Sequence, residues 1–143
     1  MKTFLAISLL ALSVPVWSQS QTATHASQAH TLTRADLDKL LATPDKLVVI
    51  DVRRPDELTS IGGFPAYLSI QLADLEKYVA YIPKDRAVVT VSNHAGRARK
   101  AADVLASKGF KVAGAIGAQD YEAQGGQLTK IAPKQAATAN AKH

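Results

Sequence analysis

Residues 92–97 (SNHAGR) bring a hydroxyl, an amide, an imidazole and a guanidinium into one short segment. The β-branched run before them, 87–91 (AVVTV), predicts a buried strand, and the alanine-rich stretch 97–108 after them predicts a helix. The first N–H groups of a helix have no partner within it, and the helix dipole is positive at that end. Because Arg97 adds a full positive charge, the segment predicts a binding site for a small oxyanion. The alternative is an ordinary turn with a solvated arginine.

Every residue of the segment is a candidate member of this site: Ser92, Asn93, His94, Ala95, Gly96 and Arg97. A hydroxyl near an imidazole is also the beginning of a catalytic serine arrangement. Residues two positions apart on one loop rarely reach the required geometry, however, and the sequence shows no acid that would orient the imidazole. We therefore predict no catalytic residue here, with His94 on the loop surface. No second histidine or carboxylate stands at ligand spacing, so neither a metal nor another cofactor is predicted.

A second strand end carries Asp51 and Arg53. The run 46–53 (KLVVIDVR) predicts another strand buried on both faces, which is typical of a parallel sheet. The carboxyl ends of parallel strands form the ligand-binding edge of open α/β sheets. Asp51 is therefore a candidate to orient the segment after Ser92 or to pair with Arg97, with Arg53 as a second supporting residue. The alternative is a salt bridge or turn cap that holds the strand ends together.

The amino-acid composition limits the chemistry further. The chain has 143 residues, with 17 Lys and Arg against 12 Asp and Glu, and no cysteine. This length suits one domain with its own core. The absence of cysteine excludes disulfides, thiolate metal ligands and cysteine nucleophiles. The basic residues are scattered and have no interleaved aromatic residues, so nucleic-acid binding is not predicted.

The first 18 residues are typical of a secretory signal peptide. Lys2 precedes the uncharged apolar run 4–16, which is shorter than the roughly 20 residues that a membrane-spanning helix needs. Residues 1–18 thus predict export, to the periplasm or by secretion, with no stable membrane span after cleavage. Residues 19–31 predict a polar linker, and residues 129–143 predict a flexible tail made basic by its lysines.

Helices and buried strands alternate through the rest of the chain. A capping box formed by Thr33 and Asp36 predicts a helix over 33–42. Residues 74–82 predict a longer amphipathic helix whose apolar face is Leu75, Tyr78, Val79 and Ile82. Short strands are predicted over 66–72 and 111–116, a short helix near 119–123, and packing positions at Tyr67, Tyr78 and Tyr81. This alternation predicts an α/β fold with a mostly parallel sheet.

Four segments, taken in order, resemble the sequence of a single-domain rhodanese, a family with the sulfurtransferase fold. Residues 47–57 resemble its strand and DVR-x-P-x-E signature. Residues 62–72 resemble its GHIPGA-x-NIPL bend, with Gly63 where histidine is usual. Residues 97–110 resemble its RS-x-x-AA-x-x-L-x-x-x-GF helix, and Tyr121 resembles its late aromatic residue.

The resemblance covers residues 32–128 and implies a three-layer sandwich, in which helices flank a small, mostly parallel sheet. The active loop of this family is a cysteine followed five residues later by an arginine, and the cysteine carries sulfane sulfur as a persulfide. Counting back from Arg97 places Ser92 at the cysteine position. A serine hydroxyl cannot accept sulfur to form a persulfide. The resemblance therefore implies the loop and its arginine without the nucleophile.

Three functions stay open. The first is an exported rhodanese-like domain without cysteine-based sulfurtransferase activity, which binds a small oxyanion, or an anionic group of a partner, at residues 92–97. The second is a periplasmic protein-interaction module in which this loop is vestigial. The third is a serine-dependent hydrolase of phosphate or sulfate esters, since similar loops occur in cell-cycle phosphatases that share this fold, although those enzymes also use a cysteine.

Overall fold

The computed structural model describes residues 28–131. The predicted signal peptide 1–18, the linker up to residue 27 and the tail from residue 132 onward lie outside the described residues. Within residues 28–131, no helix is long and apolar enough to span a membrane.

In the described part of the chain, four parallel strands form a single sheet in the order β2-β1-β3-β4. The strands are β1 (Leu47–Asp51), β2 (Leu68–Ser69), β3 (Ala87–Ser92) and β4 (Lys111–Gly117). All five residues of β1 are buried, as are five of the six in β3, because both strands are central and covered on both faces. The α/β class with a parallel sheet is therefore confirmed.

The described residues contain five α-helices that flank the sheet: α1 (Arg34–Leu41), α2 (Pro55–Ile61), α3 (Leu75–Tyr78), α4 (Ala95–Ser107) and α5 (Ala118–Ala123). The predicted capping box of α1 is present, since Asp36 N–H donates to Thr33 Oγ1 at 3.3 Å and Thr33 N–H donates to Asp36 Oδ2 at 3.1 Å. Helix α4 has 13 residues and begins two residues earlier than its alanine pattern predicts. This earlier start brings Ala95 and Gly96 into the first helical turn.

The two larger apolar clusters of the described residues lie on opposite faces of the sheet and make the three layers. Leu47 and Val49 of β1 pack in a cluster that contains Leu37 of α1 and Tyr121 of α5. The even-numbered residues of β1 pack on the opposite face, in a cluster that contains Leu75 of α3 and Leu105 of α4. The alternation along β1 places successive side chains on opposite faces, so the continuous apolar run predicted a strand covered on both sides.

The predicted helix over 74–82 is not continuous. Only α3 is α-helical there, and 3₁₀ turns at 72–74 and 79–81 flank it. Because a 3₁₀ turn has three residues per turn, it rotates the following side chains away from the face that a continuous α-helix would present. The side chain of Tyr78 is 49% exposed and that of Tyr81 is 79% exposed, so the predicted packing role of these two tyrosines is wrong. Tyr67 does pack against the core.

The remaining differences concern short segments at the rim of the sheet. The strand predicted over 66–72 is reduced to the two residues of β2, whose side chains are exposed. The chain on both sides of residues 32–128 also joins the fold. Thr31 bridges to Ala115 of β4, and Thr129 forms an antiparallel bridge with Gly63.

Candidate functional site

Residues 92–97 lie where β3 ends and α4 begins, beside the carboxyl end of β1. Asp51 is in register with Val91, and Val52 N–H donates to the carbonyl of Val91 at 2.9 Å. The two strand ends that carry the predicted site residues are therefore neighbours, as the parallel-sheet rule indicates.

Ser92 is fully buried and its hydroxyl is used inside the protein. Ser92 Oγ accepts a hydrogen bond from Ala98 N–H at 2.9 Å and donates one to the carbonyl of His94. These bonds tie the start of the loop to the first turn of α4. The hydroxyl at the position of the family's cysteine thus holds the loop in shape instead of facing a substrate.

Arg97 forms a two-pronged ion pair with Glu57 of α2. Its Nη1 and Nη2 donate to Glu57 Oε2 and Oε1 at 2.9 and 2.6 Å. The hydrogen bonds from Arg97 lower the pKa of Glu57 from 4.5 to about 2, against an opposing effect of burial. The positive charge that the sequence predicted for the loop is therefore matched by a carboxylate from another element.

Glu57 also holds the next residue of the loop. Asn93 Nδ2 donates to Glu57 Oε1 at 2.6 Å, and Asn93 Oδ1 is buried without a partner among the residues described. Reasoning from the residues alone did not single out Glu57 as a site residue. The signal was present in the segment DVR-x-P-x-E, whose last position is Glu57.

His94 is oriented by an acid that the sequence analysis did not find. His94 Nδ1 lies 2.8 Å from Oδ1 of Asp120 in α5, and the imidazole is 71% exposed. The expectation that no acid orients this histidine is wrong because the contact spans 26 residues and depends on the pairing of β4 with β3. Gly117 permits the approach, since a Cβ there would lie 2.8 Å from His94 Cα and would overlap the Asp120 carboxylate.

The main-chain N–H groups at the start of α4 are also part of the site. Ala95 N–H donates to Asp120 Oδ2 at 3.3 Å. The N–H groups of Gly96 and Arg97 belong to the first helical turn, where a helix offers them no carbonyl. Gly96 is exposed, and a Cβ added to it would meet nothing within 4 Å, so the side of the turn at Gly96 is open. What the site offers a ligand is these two amides with the imidazole of His94 beside them.

Asp51 and Arg53 are both fully buried and pair with each other. Arg53 Nη2 donates to Asp51 Oδ2 at 2.7 Å and to the carbonyl of Gly62 at 2.8 Å. Of the two roles considered for Asp51, the structure shows the salt bridge, because the carboxylate is occupied by Arg53. This salt bridge lies within one strand end, and Arg53 also anchors the bend at Gly62.

The described part of the chain contains no group of three or more His, Asp or Glu side chains placed to hold a metal ion.

No protein-family model matches the sequence, and no curated protein is similar to it. Solved structures are similar to it in fold. A rhodanese-related protein from Thermoplasma volcanium superposes with a TM-score of 0.63 at 21% identity, over 71% of this chain and 99% of that one. A rhodanese-like domain protein from Staphylococcus aureus gives a TM-score of 0.54 at 20% identity, over 61% of this chain and 84% of that one.

A third similar structure is a protein of unknown function from Rhodopseudomonas palustris, described as a possible tyrosine phosphatase. It gives a TM-score of 0.63 at 26% identity, over 71% of this chain and 86% of that one. Together with the four-stranded parallel sheet, these comparisons show that the chain has the fold of rhodanese-like domains. The fold alone does not assign an activity, so function has to be argued from the site.

Proposed function

We propose that this protein is an exported rhodanese-like domain that performs no cysteine-based sulfur transfer and binds a small oxyanion, or an anionic group of a partner, at residues 92–97. The observation that carries the proposal is the open first turn of α4. Gly96 is exposed, a Cβ added there would meet nothing within 4 Å, and the Gly96 and Arg97 N–H groups belong to the first turn of a 13-residue helix, at its positive end.

The side chains around this turn define how the anion would bind. The Arg97 side chain is 36% exposed, and its guanidinium is paired with Glu57. The main-chain amides would therefore donate the direct hydrogen bonds to the anion, and Arg97 would add a positive charge that Glu57 partly neutralises. Asp120 holds the imidazole of His94 beside the opening. The net charge at the mouth is small, which favours a weak, salt-dependent site over a tight one.

The serine-hydrolase alternative is poorly supported by this geometry. Ser92 is fully buried and donates its proton to a main-chain carbonyl, not to an imidazole. A nucleophilic serine needs a base within hydrogen-bond reach of its hydroxyl. We expect no release of nitrophenol from model phosphate or sulfate esters, and no thiosulfate-to-cyanide sulfur transfer that follows the purity of the protein.

Thermal unfolding with a series of anions tests the binding proposal. The purified protein is unfolded with thiosulfate, sulfite, sulfate, phosphate or phenyl phosphate at matched ionic strength. A ligand at about 100 times its dissociation constant adds roughly 2.7 kcal/mol, which is several degrees for a domain of this size. A shift for none of these anions would contradict anion binding and favour the interaction module with a vestigial loop.

Two substitutions at Gly96 make the test specific to the open turn. Gly96→Glu places a carboxylate over the amides, and it is compatible with folding because the position is open and an acid near a helix N-terminus is stabilising. We expect it to abolish the anion-dependent shift. Gly96→Gln is the neutral control and should keep the shift. Arg97→Ala is less informative, since it leaves Glu57 without its cation at the same opening.

Export is tested separately by N-terminal sequencing of the mature protein from its natural host. We expect the mature chain to begin at residue 19, or after a cut at Ser20 or Ala23, and to be found outside the cytoplasm. A cytoplasmic protein that keeps residues 1–18 would contradict this part of the proposal.

A further inference from the structure

A second concave surface lies at the opposite end of the sheet, where β1 begins. We call it the edge groove. It has a volume of about 360 Å³, and its walls include Leu47, Val48, Val49, Tyr67, Tyr81 and Arg86. A neighbouring depression of about 290 Å³ shares Leu47 and Val49 with it and extends it towards α1. The groove is separate from residues 92–97, which lie at the carboxyl end of the strands.

The edge groove lies against the part of β1 that β2 does not pair with. The register between β1 and β2 contains only Ile50 and Asp51. Asp51 C=O accepts from Ile70 N–H at 3.0 Å, so Asp51 directs its main-chain groups towards β2. Alternate residues of a strand direct these groups to the same side, and Val49 N–H and Leu47 C=O therefore face this side beyond the end of β2. Such an edge is a template for an added extended chain.

Exposed apolar side chains cluster at the same place. Among residues 28–131, the exposed large hydrophobic residues are Leu68, Tyr78 and Tyr81. Leu68 and Tyr81 line the groove, and the Tyr78 ring lies 6.3 Å from the Tyr81 ring. A concentration of exposed tyrosines around a concave apolar surface is typical of protein-binding sites, because tyrosine buries a large area at low entropic cost.

The charge of the groove specifies its occupant. Arg86 is the single charged residue in its walls, and none of the ion pairs within residues 28–131 includes it. A carboxylate is the natural partner for such a guanidinium. The segments of this chain outside the described residues, 1–27 and 132–143, contain no Asp or Glu. A second copy docked groove to groove would offer Arg86 no carboxylate, because a two-fold interface uses the same surface on both copies and this one contains no Asp or Glu.

We propose that the edge groove binds an extended, apolar segment of a different protein, which adds as a strand beside β1 and places an acidic side chain on Arg86. The main chain of the segment bonds to Leu47 C=O and Val49 N–H, and its apolar side chains contact Tyr67 and Tyr81. This binding site does not depend on anion binding at residues 92–97, so each can fail without the other.

Selection from a random peptide library displayed on phage tests the proposal. The purified protein should enrich peptides that alternate apolar residues and carry at least one Asp or Glu. The affinity of an enriched peptide should fall about tenfold or more in Arg86→Glu and about fivefold in Tyr81→Ala. Arg99→Glu is the matched control, because it makes the same charge change at an exposed position of α4 and should leave the affinity unchanged.

Hydrogen exchange identifies the mode of binding. A bound peptide should slow the exchange of Val49 N–H, whereas the amides of Gly96 and Arg97 should not change. The proposal is overturned if no peptide is enriched, if enriched peptides lack acidic residues, or if Arg86→Glu and Arg99→Glu weaken binding equally. It is also overturned if the protein dimerises through this groove, which sedimentation of the wild type and Arg86→Glu would reveal.

Discussion

The two ends of the parallel sheet differ in whether their charged side chains form ion pairs within the protein. At the carboxyl end, the charged side chains of the site are paired within the protein, as in Arg53 with Asp51, Arg97 with Glu57 and His94 with Asp120. At the amino end, the edge groove leaves Arg86 without an ion pair in the described part of the chain. It also leaves the Tyr81 side chain 79% exposed.

This difference separates structural from binding roles. Pairing at the carboxyl end fixes the shape of residues 92–97, so that a ligand meets preorganised main-chain amides and an oriented imidazole. The exposed groups of the edge groove contribute little to the stability of the fold. They contribute favourable free energy only when a partner buries them. Substitutions at the carboxyl end should therefore reduce the free energy of unfolding, whereas substitutions in the edge groove should reduce binding alone.

The largest expected effect is at the buried ion pair. Arg53→Met leaves the fully buried Asp51 carboxylate without its cation, and we expect it to cost about 3–5 kcal/mol in urea unfolding. Arg54→Met is the matched control one residue later, where the side chain is 59% exposed, and it should cost much less. Equal costs at the two positions would show that the pair is not structural.

A smaller effect is expected at the ion pair between loop and helix α2. Glu57→Gln removes a charged acceptor that serves both Arg97 and Asn93, and should cost about 2 kcal/mol at pH 7. The neighbouring Asp56→Asn, at a side chain 68% exposed, is the control and should cost much less.

The stabilising effect of Glu57 should depend on pH in a defined direction. The pKa of its carboxyl is about 2 in the folded protein and 4.5 for the free group. The unfolded state therefore takes up this proton first as the pH falls, and the contribution is complete above pH 4.5 and lost towards pH 2. Acid unfolding of the wild type and Glu57→Gln should give free energies that converge over this interval. If the difference in free energy of unfolding between the wild type and Glu57→Gln stays constant with pH, the pKa of Glu57 is not lowered by folding.

Ser92→Ala should have a moderate effect. It removes the hydroxyl that joins the His94 carbonyl to Ala98 N–H, and we expect a cost of about 1 kcal/mol in the same unfolding measurement. Ser107→Ala, at an exposed position at the end of α4, should cost only a few tenths of a kcal/mol. A Ser92→Ala protein as stable as Ser107→Ala would mean that the hydroxyl does not hold the loop.

The smallest expected effect is in the edge groove. Tyr81→Ala should change the free energy of unfolding by about 0.5 kcal/mol or less, because its ring is mostly in solvent. Tyr121→Ala provides the contrast, since its ring is buried against Phe64 and its loss should cost about 3–5 kcal/mol. If Tyr81→Ala greatly reduced the free energy of unfolding, Tyr81 would have a structural role. The distinction between the carboxyl end of the sheet and the edge groove would then fail.

Local patterns in the sequence predicted the central part of the fold. The β-branched runs around Val49 and Val89 predicted β1 and β3, and the small residues after Arg97 predicted α4, because burial on both faces leaves a strong compositional signal. The signal failed where 3₁₀ turns interrupt the helix before Ile82. The hydrophobic spacing in that segment fits an α-helix, and only the structure shows that Tyr78 turns outward.

The candidate site was predicted in position but not in its contacts. Counting from Arg97 located the loop, since loop and helix are contiguous in the chain. Glu57 and Asp120 lie 40 and 26 residues away from the loop residues that they contact, and although the segment DVR-x-P-x-E marks Glu57, no pattern within either segment says which loop residue it meets. The compensation of Arg97 by Glu57 is therefore a property of the assembled fold.

An NMR titration of the ¹⁵N-labelled protein with thiosulfate and sulfate, at constant ionic strength, tests the oxyanion site most directly. We expect saturable shifts of the Gly96 and Arg97 amide signals in the wild type and in Gly96→Gln, none in Gly96→Glu, and no change at Val49. Absence of saturable shifts at these amides in the wild type, or equal shifts in Gly96→Glu, would contradict binding at the first turn of α4.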